Sequence, residues 1–159
     1  MKKFIFLVVV GLLSARMVCA QSVPAFSAPF LNSPKGAEGN TFAFSPQGLK
    51  KPVLFVFWAS WCKPCILEVP EALVLFRDYA QAIDFVGVSV DKESAKAESF
   101  IKKYALPYQN IHDPEMAIAE KMGVQATPAM VLIGVDGLVK YRAIRIDKKM
   151  KSQIEKLTP

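Results

Sequence analysis

Val53 to Trp58 is an unbroken run of six apolar residues, Val-Leu-Phe-Val-Phe-Trp. A run this short, rich in aromatic and β-branched side chains and with no polar alternate position, reads as a strand covered on both faces. Strands of that kind belong to sheets packed between helices, so the run points to an α/β layered domain. Directly after it, Cys62 and Cys65 stand two residues apart in Cys-Lys-Pro-Cys. Helical spacing opens from them: Ile66, Val69, Leu73 and Phe76 recur every three or four positions, with Pro70 placed to kink the helix.

The rest of the chain continues in the same style. Residues 21 to 52 are rich in Pro, Ser, Gly and Asn around short apolar pairs such as Phe42 and Phe44, which suits a loop and a small hairpin. A second buried strand is expected over Ile83 to Val90, and an amphipathic helix over Glu93 to Tyr104 with Ala97, Phe100 and Ile101 as its apolar side. Pro114 suits the first turn of a short helix from Glu115 to Met122, ended by Gly123. Two strands, Ala129 to Val135 and Leu138 to Ile146, are joined across Asp136-Gly137, a strong hairpin signal. Asp147 can cap a last helix to about Leu157, with Lys148, Lys149 and Lys151 on its solvated face. The expected fold is one α/β domain with a parallel start and an antiparallel edge.

The chain has 159 residues, enough for one domain with a substantial core. Its start reads as an address: Lys2 and Lys3, an apolar run from Phe4 to Leu13, then Val18-Cys19-Ala20 before a cut after Ala20. The apolar run is short for a bilayer span; an uncleaved anchor is the alternative, and Arg16 and Val18 do not resemble a lipobox leading to Cys19. Residues 1–20 are thus expected to be a signal peptide and 21–159 the domain, in a periplasmic protein. Without Lys2, Lys3 and Arg16 the formal charge falls from +6 to +3, and no dense basic patch with interleaved aromatics remains, which speaks against nucleic acid as partner.

Of three cysteines, loss of Cys19 leaves Cys62 and Cys65 to pair only with each other. A Cys-x-x-Cys ring closes almost no loop, so it does little as a staple of the unfolded chain. At a helix N-terminus, unpaired N–H groups and the helix dipole stabilise a thiolate. Cys62 lies there, Lys63 adds a positive charge nearby, and Pro64 removes an N–H that has no helical partner at that position. Cys65, one turn on, is placed to resolve a mixed disulfide formed at Cys62. Structural zinc wants four Cys or His ligands, and His112 is the one histidine, expected to be exposed ahead of a helix. Soft thiolates also suit Cu(I), so a copper-carrying module using the same cysteines is the alternative reading; no metal site is assigned. Glu68 falls on the cysteine side of the helix, where it can exchange a proton with Cys65 or merely complement the helix dipole. Pro128 can open a strand without losing a ladder bond, and Thr127–Pro128 can be cis.

"WASWCKPCILEVP" resembles the signature of exported thioredoxin-fold thiol–disulfide oxidoreductases of the TlpA/ResA type, with Trp58, Trp61 and Pro70 in matching places. "SVPAFSAPFLN" resembles the lead-in to that group's N-terminal hairpin, and "GVQATPAMVLIGVDGLVKYR" the stretch bearing its cis-proline and closing hairpin. The resemblance implies a thioredoxin-like fold: a central mixed sheet flanked by helices, with an N-terminal hairpin extension and a central insertion between Ser89 and Tyr104. It implies Cys62 as attacking thiol, Cys65 as resolving thiol and Glu68 as the active-site glutamate. Pro128 would be cis beside the pair, and Trp61, Lys63, Pro64, Thr127 and Pro128 would meet the substrate. The redox-active disulfide would be the sole redox group, with no further cofactor.

The expected partners are exported proteins carrying disulfides, such as cysteines awaiting haem (cytochrome c maturation) or copper, and a membrane electron donor of thiol-reductase type. A monomer is expected. Lys63-Pro64 differs from the histidine-containing dipeptide of the oxidant DsbA, which favours a reductase. Peroxidase chemistry is weaker, for want of a Thr-x-x-Cys arrangement. Two departures stand out: Val56 occupies the place of the buried aspartate of cytosolic thioredoxins, and "RAIRID" stands where a glycine usually precedes the last helix.

Overall fold

The computed structural model describes residues 21–32 and 39–158. The expected leader, residues 1–20, lies outside the described residues. Within them the chain forms β1 (Phe26–Asn32), β2 (Thr41–Phe44), β3 (Val53–Trp58), α1 (Lys63–Tyr79), β4 (Asp84–Ser89), α2 (Ser94–Tyr104), β5 (Gln109–His112), α3 (Ala117–Lys121), β6 (Ala129–Ile133), β7 (Val139–Ala143) and α4 (Lys148–Leu157). The strands make one mixed sheet in the order β2-β1-β5-β4-β3-β6-β7. β3 pairs parallel with β4 and antiparallel with β6; β4 pairs parallel with β5. This is the expected thioredoxin-like architecture, parallel at its start and antiparallel at its β6–β7 edge.

β3 shows why the apolar run is unbroken. Every residue of it is buried, and its side chains alternate between two cores. Leu54, Val56 and Trp58 face the core made with α1, α2 and α4, whereas Val53, Phe55 and Phe57 face one made with α3 and the β1–β2 hairpin. At about 1.5–3 kcal/mol for each large apolar side chain removed from water, this strand is a major anchor of the fold. The hairpin contributes aromatics: Phe26 stacks on Phe44 at 5.2 Å, and Phe44 meets Phe55 edge-on at 5.3 Å.

Four points of the sequence reading need correction. β5 was not expected, because Gln-Asn-Ile-His is short and mostly polar; yet Asn110 is fully buried in it. Tertiary partners make that tolerable: the Asn110 side chain accepts from Trp58 Nε1 at 3.2 Å and donates to the Tyr108 carbonyl at 2.8 Å. β5 also ties the hairpin into the main sheet through β1. His112 is therefore not an exposed residue ahead of a helix but a half-buried member of β5, its Nε2 2.7 Å from the Asp91 carbonyl oxygen.

The helix expected from Glu115 shortens to α3, because the buried Asp113 carboxylate accepts the N–H groups of Ile118 and Ala119 and sets the start there. The last strand stops at Ala143 rather than Ile146, since the Ile146 N–H is bonded to Glu68 instead of to a ladder partner. Other expected bounds held closely: α2 buries Ala97, Phe100 and Ile101, and Asp147 caps α4 by accepting the Met150 N–H at 2.8 Å.

Candidate active site

β3 ends at Trp58, and a tight turn returns the chain so that the Cys62 N–H donates to the Ala59 carbonyl at 3.1 Å. Cys62 is the N-cap of α1, its sulfur accepting the Cys65 N–H at 3.2 Å. Cys62 and Cys65 are joined as a disulfide, each only 4 % exposed. Pro64 sits in the first turn, and α1 then runs through Pro70 to Tyr79 as one element.

The surroundings come from parts of the chain distant in sequence. The Thr127–Pro128 bond, leading into β6, is cis as expected. A shallow groove runs between Pro64, Thr127, Pro128 and Ile144; a second, lined by Trp61, Met116, Gln125 and Thr127, shares its Thr127 wall. Trp61 and Ile144 are 67 % and 75 % exposed, which leaves apolar surface at these grooves open to solvent. Lys63 is exposed beside them.

Beneath the disulfide is a narrow apolar cavity, large enough for about one water molecule. Cys65, Glu68, Pro128, Met130, Trp58 and Tyr108 are among its walls. Trp58 is held there by stacking on Phe100 at 4.6 Å and by its bond to Asn110. Burial pushes the Tyr108 phenol well above its ordinary range. Glu68 is half-buried on the cavity wall, with Oε2 accepting the Ile146 N–H at 2.8 Å. Spacing had placed Glu68 on the cysteine side of α1; its anchoring to residue 146 was not legible.

Two further residues escaped sequence reading. Asp91, 1 % exposed, accepts from the Ser60 N–H at 2.9 Å, the Ser60 hydroxyl at 2.6 Å and the Ser89 hydroxyl at 2.9 Å. Ser60 lies in the turn leading to Cys62, and nothing in a spacing of 31 residues announces the pair. His112 bonds to the Asp91 backbone and, among the described residues, no group of three or more His, Cys, Asp or Glu side chains is gathered as a metal site.

The model of the AhpC/TSA family matches residues 19–142. The chain belongs to that family. Among curated relatives, the thiol–disulfide oxidoreductase ResA of Bacillus anthracis is 28% identical over 112 residues, spanning 69% of this chain and 65% of that protein. The thiol:disulfide interchange protein DsbE of Yersinia pestis is 31% identical over 121 residues, spanning 76% of this chain and 61% of that one. The chain thus spans a little under two thirds of the length of these relatives. A secreted Mycobacterium tuberculosis disulfide oxidoreductase homologous to E. coli DsbE superposes with a TM-score of 0.68 at 26% identity, covering 83% of this chain and 96% of that one. MTB DsbF superposes at 0.69, also with 26% identity, covering 87% and 98%. These likenesses bear out the thioredoxin-like fold and the likeness to ResA-type proteins read from the Cys-Lys-Pro-Cys segment.

Proposed function

We propose that this protein is an exported thiol–disulfide oxidoreductase that reduces disulfides in other periplasmic proteins through the Cys62–Cys65 couple. The observation that carries this reading is the disulfide formed by the N-cap of α1 beside the cis Thr127–Pro128 bond. Relatives named as thiol–disulfide oxidoreductases support the reaction class. Disulfide-bearing exported proteins, including those whose cysteines await haem or copper, are its proposed substrates.

In the reduced protein, N–H groups and the dipole at the start of α1 favour the Cys62 thiolate. That thiolate attacks one sulfur of a substrate disulfide, and the other substrate sulfur leaves as a thiolate that takes a proton from solvent. Cys65 then gives its proton to the Glu68 carboxylate, on the wall of the same cavity, and attacks the Cys62 sulfur of the mixed disulfide. The second substrate sulfur leaves, protonated in turn, and the Cys62–Cys65 disulfide is formed. Two electrons have passed from the protein dithiol to the substrate. A membrane donor of thiol-reductase type would restore the dithiol, and no cofactor beyond the disulfide takes part.

The groove walls Trp61, Pro64, Thr127 and Pro128, with Lys63 beside them, are proposed to hold the substrate chain next to Cys62. Among the described residues no helix is long and apolar enough to cross a membrane. The periplasmic location rests on the leader-like residues 1–20.

The test is the reduction potential of the couple, measured by equilibrating purified protein in graded thiol buffers. A value near that of thioredoxin, about −270 mV, is expected for a reductase. A value near that of DsbA, about −120 mV, would reverse the direction, and a pair that does not cycle would end the reading.

A further inference from the structure

A carboxylate buried without a cation is costly unless its oxygens are filled with hydrogen bonds. Asp91 is such a group: among the described residues no lysine or arginine forms an ion pair with it, and both its oxygens are occupied by Ser60 and Ser89. It does not itself line either groove or the cavity beside Cys65. Its bonds instead run to the turn that presents Cys62, gripping both the amide and the hydroxyl of Ser60.

The aspartate is held from behind as well. Its N–H donates to the Ser89 hydroxyl at 3.2 Å, the neighbouring Val90 N–H donates to the Trp58 carbonyl at 3.0 Å, and His112 Nε2 meets its carbonyl oxygen. The ends of β3, β4 and β5 are therefore joined through residues 89–91, against the turn that presents Cys62.

We propose that Asp91 is a positioning residue for the Cys62–Cys65 couple: it holds the 59–62 turn in place and, as a fixed negative charge bonded to Ser60 in that turn, keeps the couple reducing. The proposal rests on the oxidoreductase reading above. A negative charge fixed in a poorly screened place raises the free energy of a nearby thiolate. The dithiol form, which carries that thiolate, is disfavoured relative to the disulfide, and the dithiol becomes the better electron donor. The titratable groups near Asp91 are His112 on β5, whose ring meets the Asp91 backbone carbonyl, and Lys96 on α2, which its carboxylate influences; Lys92, next in the chain, is paired with Glu115.

The experiment equilibrates wild-type protein, Asp91→Asn and Ser60→Ala with dithiothreitol and its oxidised form at pH 8, reading the dithiol-to-disulfide ratio by thiol alkylation. In each mixture dithiothreitol gives the protein disulfide two electrons and is itself oxidised; of its two protons, one goes to the Cys65 thiol and the other to Cys62 or, where Cys62 is a thiolate, to the buffer. Asp91→Asn keeps the shape and removes the charge; it is expected to move the equilibrium about tenfold toward the dithiol, equivalent to about 30 mV. Ser60→Ala keeps the charge, cuts the 2.6 Å contact and lies at a half-exposed position that tolerates the change. It is expected to shift the ratio in the same direction by about threefold, because water reaching the released carboxylate screens it. Ser60→Ala carries the test if Asp91→Asn does not fold. Either folded variant equilibrating at the wild-type ratio overturns the proposal. A wild-type protein that does not cycle at all overturns the oxidoreductase reading instead, so the two failures are told apart.

Discussion

Glu68 and Ile146, 78 residues apart in sequence, are joined by a hydrogen bond in which the Ile146 N–H donates to Glu68 Oε2 at 2.8 Å. One carboxylate thereby serves two ends of the domain: it lines the cavity under Cys65 and ends β7 ahead of α4. The two roles are separable by substitution. Glu68→Gln keeps an acceptor for Ile146 but cannot take a proton, so stability should change little while resolution of the mixed disulfide slows by about 10²-fold. Glu68→Ala should slow it equally and also cost about 1 kcal/mol by leaving the Ile146 amide unpaired. Single-turnover kinetics with a disulfide substrate, set beside urea unfolding, check both. Equal, wild-type rates for the two variants would leave Glu68 with a structural role alone.

Cys65→Ser should trap the substrate. With Cys62 free to attack and no resolving thiol, a mixed disulfide with a model disulfide protein should accumulate and appear as a higher band on a non-reducing gel. Cys62→Ser should give no such band. Trapping through Cys65 instead would exchange the two proposed roles.

Gly87 sets how close β4 can come to its neighbours' side chains. A Cβ there would stand 1.9 Å from Asn110 Oδ1 and 3.0 Å from Trp58 Nε1. Gly87→Ala should therefore break the Trp58–Asn110 bond and cost about 1–3 kcal/mol. Thermal unfolding should show a midpoint lowered by about 2–4 °C for each kcal/mol. Because Trp58 also lines the cavity below Cys65, the rate of disulfide exchange should fall as well.

Tyr108 makes stability sensitive to alkali. Its folded-state phenol titrates above the ordinary value of 10.0, because burial disfavours the phenolate. Below pH 10 the phenol is neutral in both folded and unfolded chains. As pH rises past 10 the unfolded chain loses the proton first, and folding stability falls. The wild-type unfolding midpoint should drop more steeply between pH 10 and 11 than that of Tyr108→Phe. Parallel curves for the two proteins would refute the assignment.

Much of the fold was legible because its signals are local. The β3 run, the 3.6-residue spacing of α2, the Asp147 cap and the Asp136-Gly137 turn each express a preference that a few neighbouring residues decide. β5 was not legible, since Asn110 is acceptable inside only because Trp58 and the Tyr108 carbonyl are already there to bond it. The same holds for His112, whose polar ring is placed by the Asp91 carbonyl in the loop after β4.

By itself the sequence determined the layered α/β class, the strand that ends in a Cys-x-x-Cys helix start, and Glu68 on the cysteine side of that helix. These follow from covalent spacing and from the one-dimensional pattern of apolar residues, which no later contact can alter. Only the tertiary structure decided that Thr127–Pro128 is cis next to the pair, that Glu68 is anchored by Ile146, and that Asp91 grips the turn before Cys62. Each depends on groups 31 to 78 residues apart, or on a backbone isomer that local preference leaves open. Burial then makes such pairings obligatory, because a polar group taken out of water must find its partner within the fold.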